Sequence, residues 1–290
     1  MKKIIIMMLL LLLVGCQDKA DDTLTVAVSI VPQETFVKKV AGELIDVVVM
    51  IPPGNSPANY QPTPQMMEKF NESDIYFYID VSAEGPILNS AGADVKLVDL
   101  AEAVDEKYPA RYFEAHEDED EHEEEHSHEG RDPHIWLSPK RTMVMIEEIR
   151  DELVALDPIH KDIYEANAKS YLEELKALDN DLKQAFDQLE SKAFIMYHPS
   201  FGYFAEDYNL DMYAIEVEGK DATIKELGNI IELAKDNNIK YVFYQEEFDN
   251  QQAEIVANEI DGKTIKVAPL SGDYIENLRM ILNKMLDILD

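Results

Sequence analysis

Between Ile159 and Leu189 apolar residues recur at helical spacing, through Tyr164, Ala168, Tyr171, Leu175, Leu178, Leu182 and Phe186. A helix of about thirty residues runs about 45 Å at 1.5 Å per residue, far beyond the ~11-residue average. A helix that long can bridge two domains, and the pattern on either side fits that role. Before it, LTVAVSIV, IDVVVMIPP, DIYFYID and VKLVDL read as strands, with helical patterns over QETFVKKVAG and Gln65 to Asn71 between them. Met143, Ile146, Ile149, Leu153 and Leu156 mark a further helix from Pro139. After it, AFIMYHP, DMYAIEV, KYVFYQEE and TIKVAPL alternate with helical patterns over Phe201 to Tyr208, Thr223 to Asn237, Asn250 to Ile260 and Tyr274 to Leu289. Strand alternating with helix implies a parallel layer. The expected fold is α/β: two similar lobes with mainly parallel sheets, joined by one long helix. Ligands in open sheets of this kind collect at the carboxyl ends of the strands. His198 and the run Gln245, Glu246, Glu247 fall at such ends.

The boundaries expected from these patterns are 24–157 for the first lobe, 158–190 for the linking helix and 191–290 for the second lobe. Residues 1–15, MKKIIIMMLLLLLVG, combine a basic start with a short apolar stretch and read as a secretory signal, too short for a membrane span. Residues 16–23 read as a polar tether. Leu-Val-Gly-Cys resembles a bacterial lipobox, which implies that Cys16 is lipidated and becomes the first residue of a membrane-anchored chain. Cys16 is the only cysteine, so no disulfide forms within the chain and a thiolate metal site is not expected.

Acidic side chains number 59 against 26 basic ones, a formal charge of -33. That sign excludes nucleic acid as a partner and suits a chain that attracts cations. Ten of the 59 acidic side chains sit in the acidic His-rich stretch at 114–130. This run has no apolar periodicity, cannot bury anything, and is expected to be a mobile surface loop. His116, His122, His126 and His128 lie within it. They form either a merely solvated charged face or a low-affinity antenna for divalent ions. No H-E-x-x-H, G-x-S-x-G or G-x-x-x-x-G-K-[ST] pattern is present, and an enzyme is not expected.

His134 differs from its neighbours, standing in DPHIWLSP between Pro133 and the apolar pair Ile135, Trp136. This motif, with IPPGNSPANYQPTP, MYHPSFGYFAEDYNL, FYQEEFDNQQAEIVANEI and APLSGDYIENLRMIL, resembles the cluster A-I solute-binding proteins, the ZnuA/TroA-like family. The resemblance spans essentially all of the chain after the signal. It implies an extracytoplasmic protein, on the periplasmic side or cell surface, that binds Zn2+ (alternatively Mn2+) between two lobes and feeds a membrane permease of an ABC importer. It also implies that His134 and His198 are metal ligands and that the long helix limits hinge closure. The chain departs from the family at two positions. Ala58 stands where a third histidine is expected, and Ala268 where an acidic ligand is expected. Asn59, Tyr60, Gln61, Gln245 and Glu247, with Asp273 more remote, are the oxygen donors available to complete the shell. His160, in the helical run, is expected to be a packing or surface residue, and the chain to be a monomer. Two other readings use the same features: an adhesin or structural lipoprotein with a decayed metal site, and a metal buffer acting through the acidic loop alone. The requirement that separates them is geometric. Rings more than about 8 Å apart could not share an ion through two ~2 Å bonds.

Overall fold

The computed structural model describes residues 23–113, 130–216, 220–248 and 250–289. The expected signal and tether up to residue 22, with Cys16, and the loop histidines His116, His122, His126 and His128 lie outside the described residues.

Two four-stranded parallel sheets organise the chain. The first holds β1 (Leu24–Val28), β2 (Ile45–Val49), β3 (Ile75–Tyr78) and β4 (Lys96–Asp99) in the order β2-β1-β3-β4. The second holds β5 (Ala193–Met196), β6 (Asp211–Ala214), β7 (Tyr241–Gln245) and β8 (Lys263–Val267) in the order β6-β5-β7-β8. The two orders are the same, so the lobes repeat one topology. Central β1 is β-branched and buried on both faces, with Val26, Ala27 and Val28 inaccessible, as a strand covered by helices on both sides requires.

In the first lobe α1 (Val31–Ala41), α2 (Pro64–Asn71), α3 (Glu84–Asn89) and α4 (Leu100–Asp105) connect the strands. Local chemistry sets their ends. Gln33 Oε1 accepts from both Ser29 N and Ile30 N at 3.0 Å at the start of α1, Pro32 sits in its first turn, and Gly42 (φ 63°) ends it. Thr63 Oγ1 accepts from Met66 N at the start of α2. A short 3-10 turn, Ile135–Leu137, then leads into α5 (Pro139–Leu156), where Ser138 Oγ accepts from Arg141 N. The second lobe carries α7 (Gly202–Asp207), α8 (Ile224–Asp236), α9 (Gln251–Glu259) and α10 (Tyr274–Leu289).

The long helical pattern is α6 (Lys161–Asp187), 27 residues preceded by a 3-10 turn at Pro158–His160. Its buried residues are the seven that the spacing singled out: Tyr164, Ala168, Tyr171, Leu175, Leu178, Leu182 and Phe186. They pack on α1, α5 and α10, so α6 joins the lobes by lying against both. One apolar core runs unbroken from Val28 and Phe36 through Leu175 and Phe186 to Phe194, Phe204 and Leu278. Polar bonds cross the same boundary: Trp136 Nε1 donates to Pro269 O at 3.0 Å and Tyr274 Oη to Trp136 O at 2.7 Å. A shared, close-packed core resists wide hinge opening.

At the carboxyl end of the first sheet a carboxylate is buried. Glu84 accepts from Ile79 N and Val81 N at 3.0 Å and from Ser29 Oγ, which in turn meets Tyr76 Oη at 2.8 Å. Loss of hydration outweighs these bonds and pushes the carboxyl up to about 7. Native Glu84 therefore holds its proton more tightly than the unfolded chain does. Its contribution to stability is fully present below about pH 4.5 and is lost as pH rises through about 7. Urea unfolding of the wild type and of Glu84→Gln across this range should show the wild-type advantage shrinking by roughly 3 kcal/mol as pH rises. An advantage that grows with pH would contradict the buried, protonatable carboxyl.

Candidate metal centre

Asp132, Pro133 and His134 form a rigid corner at the entry to the 3-10 turn. Asp132 is inaccessible, and its Oδ1 accepts from both His134 N at 3.0 Å and His134 Nδ1 at 2.7 Å. Its Oδ2 pairs with Arg111 Nη1 at 2.9 Å. Burial alone would raise the Asp132 carboxyl, but the His134 hydrogen bonds and the Arg111 charge outweigh it and hold the group below the usual carboxylate range. Burial depresses the His134 imidazole despite Asp132, which favours the neutral ring that a metal needs.

His198 is placed from the other lobe, two residues beyond β5. Tyr197 N donates to Phe243 O, and Glu216 N to Tyr197 O, both at 2.8 Å, so the chain past β5 continues the sheet's pairing for one more step. His198 Nδ1 meets Glu216 Oε2 at 2.7 Å. One ring face stacks on Phe248, with centroids 4.5 Å apart and planes 19° apart. Both imidazoles therefore commit Nδ1 to a carboxylate, which fixes the tautomer and turns Nε2 outward.

The two Nε2 atoms face each other at 3.2 Å, with ring centroids 5.1 Å apart, well inside the 8 Å requirement. When both Nδ1 atoms carry the proton, two lone pairs point into the same small space and repel. A cation between them converts that repulsion into two bonds. Bonds of ~2.0–2.1 Å to one ion at this separation give an N–metal–N angle of about 100°, near the tetrahedral value zinc favours.

The remaining candidate donors divide. Asn59, Gln61 and Asp273 are exposed. Tyr60 Oη donates to Met66 Sδ at 3.1 Å, and Gln245 Nε2 donates to Ser200 Oγ. Glu247 Oε2 is buried and has no hydrogen-bond partner among the described residues. Burial raises its carboxyl above the usual range, while Lys266 and His198 pull the other way. Ala58 offers no donor atom, and Ala268 only its carbonyl, which accepts from Asn277 Nδ2 at 2.8 Å. Among the described residues no three His, Cys, Asp or Glu side chains are gathered around one point. His160 pairs with Asp157 at 2.6 Å on the 3-10 turn before α6, a packing role.

Asp132, Glu216 and Arg111 were not picked out from the sequence. Asp132 had a signal, two positions before His134 in the same motif. Glu216 and Arg111 act across the fold, and nothing local marks them. Gly202, at the start of α7, belongs with them: a Cβ there would stand 2.4 Å from Arg111 Nη1 and 2.6 Å from Asp132 Oδ2. Only glycine lets the second lobe approach the pair that orients His134.

Residues 26–287 match the family described as ZnuA, zinc-uptake complex component A, periplasmic. The chain is 32% identical over 278 residues to the zinc-binding lipoprotein AdcA of Streptococcus pneumoniae, an alignment covering 93% of this chain and 56% of AdcA. It thus spans about half the length of that relative. It is 30% identical over 267 residues to the high-affinity zinc uptake system protein ZnuA of Bacillus subtilis, covering 89% of this chain and 82% of that one. A crystal structure of ZnuA superposes with a TM-score of 0.83 at 34% identity, covering 93% of this chain and all of the other. With its fold, its paired imidazoles and a match over nearly its whole length, the chain belongs to the ZnuA family of zinc-uptake solute-binding proteins, which bind and do not catalyse.

Proposed function

We propose that this protein captures zinc outside the cytoplasm, in the cleft between its lobes, and passes it to the permease of an ABC importer while a lipid on Cys16 holds it at the membrane. The observation that carries the reading is the pair of Nε2 atoms at 3.2 Å, each presented by an imidazole anchored to a carboxylate. A decayed scaffold would have no need of that arrangement. His134 and His198 are the nitrogen ligands, and oxygen donors complete the shell from among Asn59, Tyr60, Gln61, Gln245 and Glu247. Imidazole suits zinc, whereas manganese prefers carboxylate, carbonyl and water, so manganese is the weaker cargo. The protein works as a monomer of lobes 24–157 and 191–290 about the helix at 158–190. Because both lobes share one core, capture relies on small shifts of the loops at the cleft.

The acidic stretch acts as an antenna through His116, His122, His126 and His128. Its ends meet at the antiparallel bridge between Tyr112 and Arg131, next to Asp132, so ions held weakly there are released beside the cleft. Its pull on cations weakens as salt shortens the electrostatic reach. Zinc titration calorimetry on a variant lacking residues 114–129 should retain one tight equivalent per chain and lose the weaker ones. Loss of the tight equivalent would contradict this division of roles.

A further inference from the structure

Two imidazoles make half of a four-coordinate zinc shell, and the structure points to where the next donor comes from. In the second sheet the chain leaves β5 for β6 on one side, then returns through α8 to β7 on the other. The crevice between the carboxyl ends of β5 and β7 is thus the topological switch point, where open parallel sheets hold their ligands. His198 stands two residues past the end of β5, Glu216 two past β6, and Glu247 two past β7. Glu216 is committed to His198 Nδ1 at 2.7 Å, and Asp132, across the cleft, to His134 and Arg111. Glu247 is the carboxylate of this group with an oxygen, Oε2, that is out of solvent and without a hydrogen-bond partner among the described residues. A carboxylate oxygen withdrawn from water without a partner is costly. The turn that carries it is held against the His198 loop on both sides, by the Phe248–His198 stack at 4.5 Å and by the bond from Gln245 to Ser200.

We propose that Glu247 is the third protein donor to the zinc, joining His134 Nε2 and His198 Nε2 and leaving the fourth position to water. This rests on the reading that zinc binds between the two imidazoles. No three such groups are gathered among the described residues, so the Glu247 side chain swings onto the ion as it arrives, while Phe248 and Gln245 keep its backbone against the His198 loop. Three protein ligands with one open position form a site that can exchange a ligand, as a cargo that must leave requires.

The test uses the full chain, zinc alone as the probe, calorimetry for affinity and thermal unfolding for stability. Glu247→Gln should weaken zinc binding by about 100-fold or more, near the share of one donor in a four-ligand zinc site. Its metal-free form should melt no lower than the wild type, because an unpaired buried charge is gone. Glu247→Asp, which keeps the carboxylate on a shorter stem, should recover part of the affinity. Glu246→Gln removes the same charge one residue away, from a half-exposed side chain paired with Lys266 at 2.8 Å, and should leave affinity within about twofold, the scale of a screened surface charge. Equal affinities for Glu247→Gln and the wild type, or equal losses in the 246 and 247 variants, would overturn the proposal. If His134→Ala still abolished binding in that case, the cleft reading would stand. If His134→Ala also bound zinc normally, both would fall.

Discussion

Alanine at His134 or at His198 should remove tight zinc binding, and the double variant should be little worse than either single one. Zinc sites of four protein ligands are worth ~10–16 kcal/mol, or roughly 3–4 kcal/mol per donor, which is about 100- to 1,000-fold in Kd. The loss is steep here because the two Nε2 atoms are held 3.2 Å apart by the fold before any metal arrives, so the site depends on both at once. The losses are not additive, because once one imidazole is gone the other has no partner with which to share the ion. The metal-free forms should stay folded, since Asp132 keeps Arg111 at 2.9 Å and His198 sits at the cleft edge. The zinc-dependent rise in melting temperature, which follows from binding to the native state alone, should vanish in both. A full rise in either variant would show that zinc binds elsewhere.

Asp207→Ala should lower stability by about 3–5 kcal/mol in urea unfolding, the usual cost of leaving a buried charge without its partner. Asp207, on α7, reaches across to the start of α5. Its Oδ2 takes Arg141 Nη1 and Ser138 Oγ, both at 2.5 Å, and its Oδ1 lies 3.4 Å from Lys140 Nζ. The Arg141 side chain is 2% exposed and that of Asp207 5%. The guanidinium also lies over the Tyr203 ring at 4.3 Å, which adds a cation–π contact worth about 0.5–2 kcal/mol but cannot replace a carboxylate. Replacing both partners, as Arg141→Met with Asp207→Leu, removes the stranded charge along with the pair and should cost less than Asp207→Ala alone. A double variant less stable than Asp207→Ala would contradict this account of the clasp between the lobes.

Much of the architecture could be read from periodicity. The seven buried residues of α6 and the eight strands were visible because each pattern is local and long, or β-branched and bounded by turn residues. The short helices α3 and α4, six residues each, were missed, although α7, of the same length, was read. Strand order was also hidden: that β1 pairs with both β2 and β3 depends on contacts between distant segments. The same divide runs through the site. His134 and His198 stand out through their motifs, whereas Glu216 becomes a partner of His198 only once β6 lies beside β5. Which polar atoms of Tyr60 and Gln245 are engaged, Oη with Met66 Sδ and Nε2 with Ser200 Oγ, was equally hidden in the sequence. Gly202 reads as an ordinary glycine until Arg111 and Asp132 arrive from the other lobe.

The central claim is that one zinc ion sits between imidazoles supplied by opposite lobes. An anomalous difference map collected at the zinc edge from crystals of the zinc-loaded protein tests it directly. The account predicts one strong peak within ~2.0–2.1 Å of both His134 Nε2 and His198 Nε2. A map with no density between those two rings, or with zinc only along the acidic stretch, would contradict it.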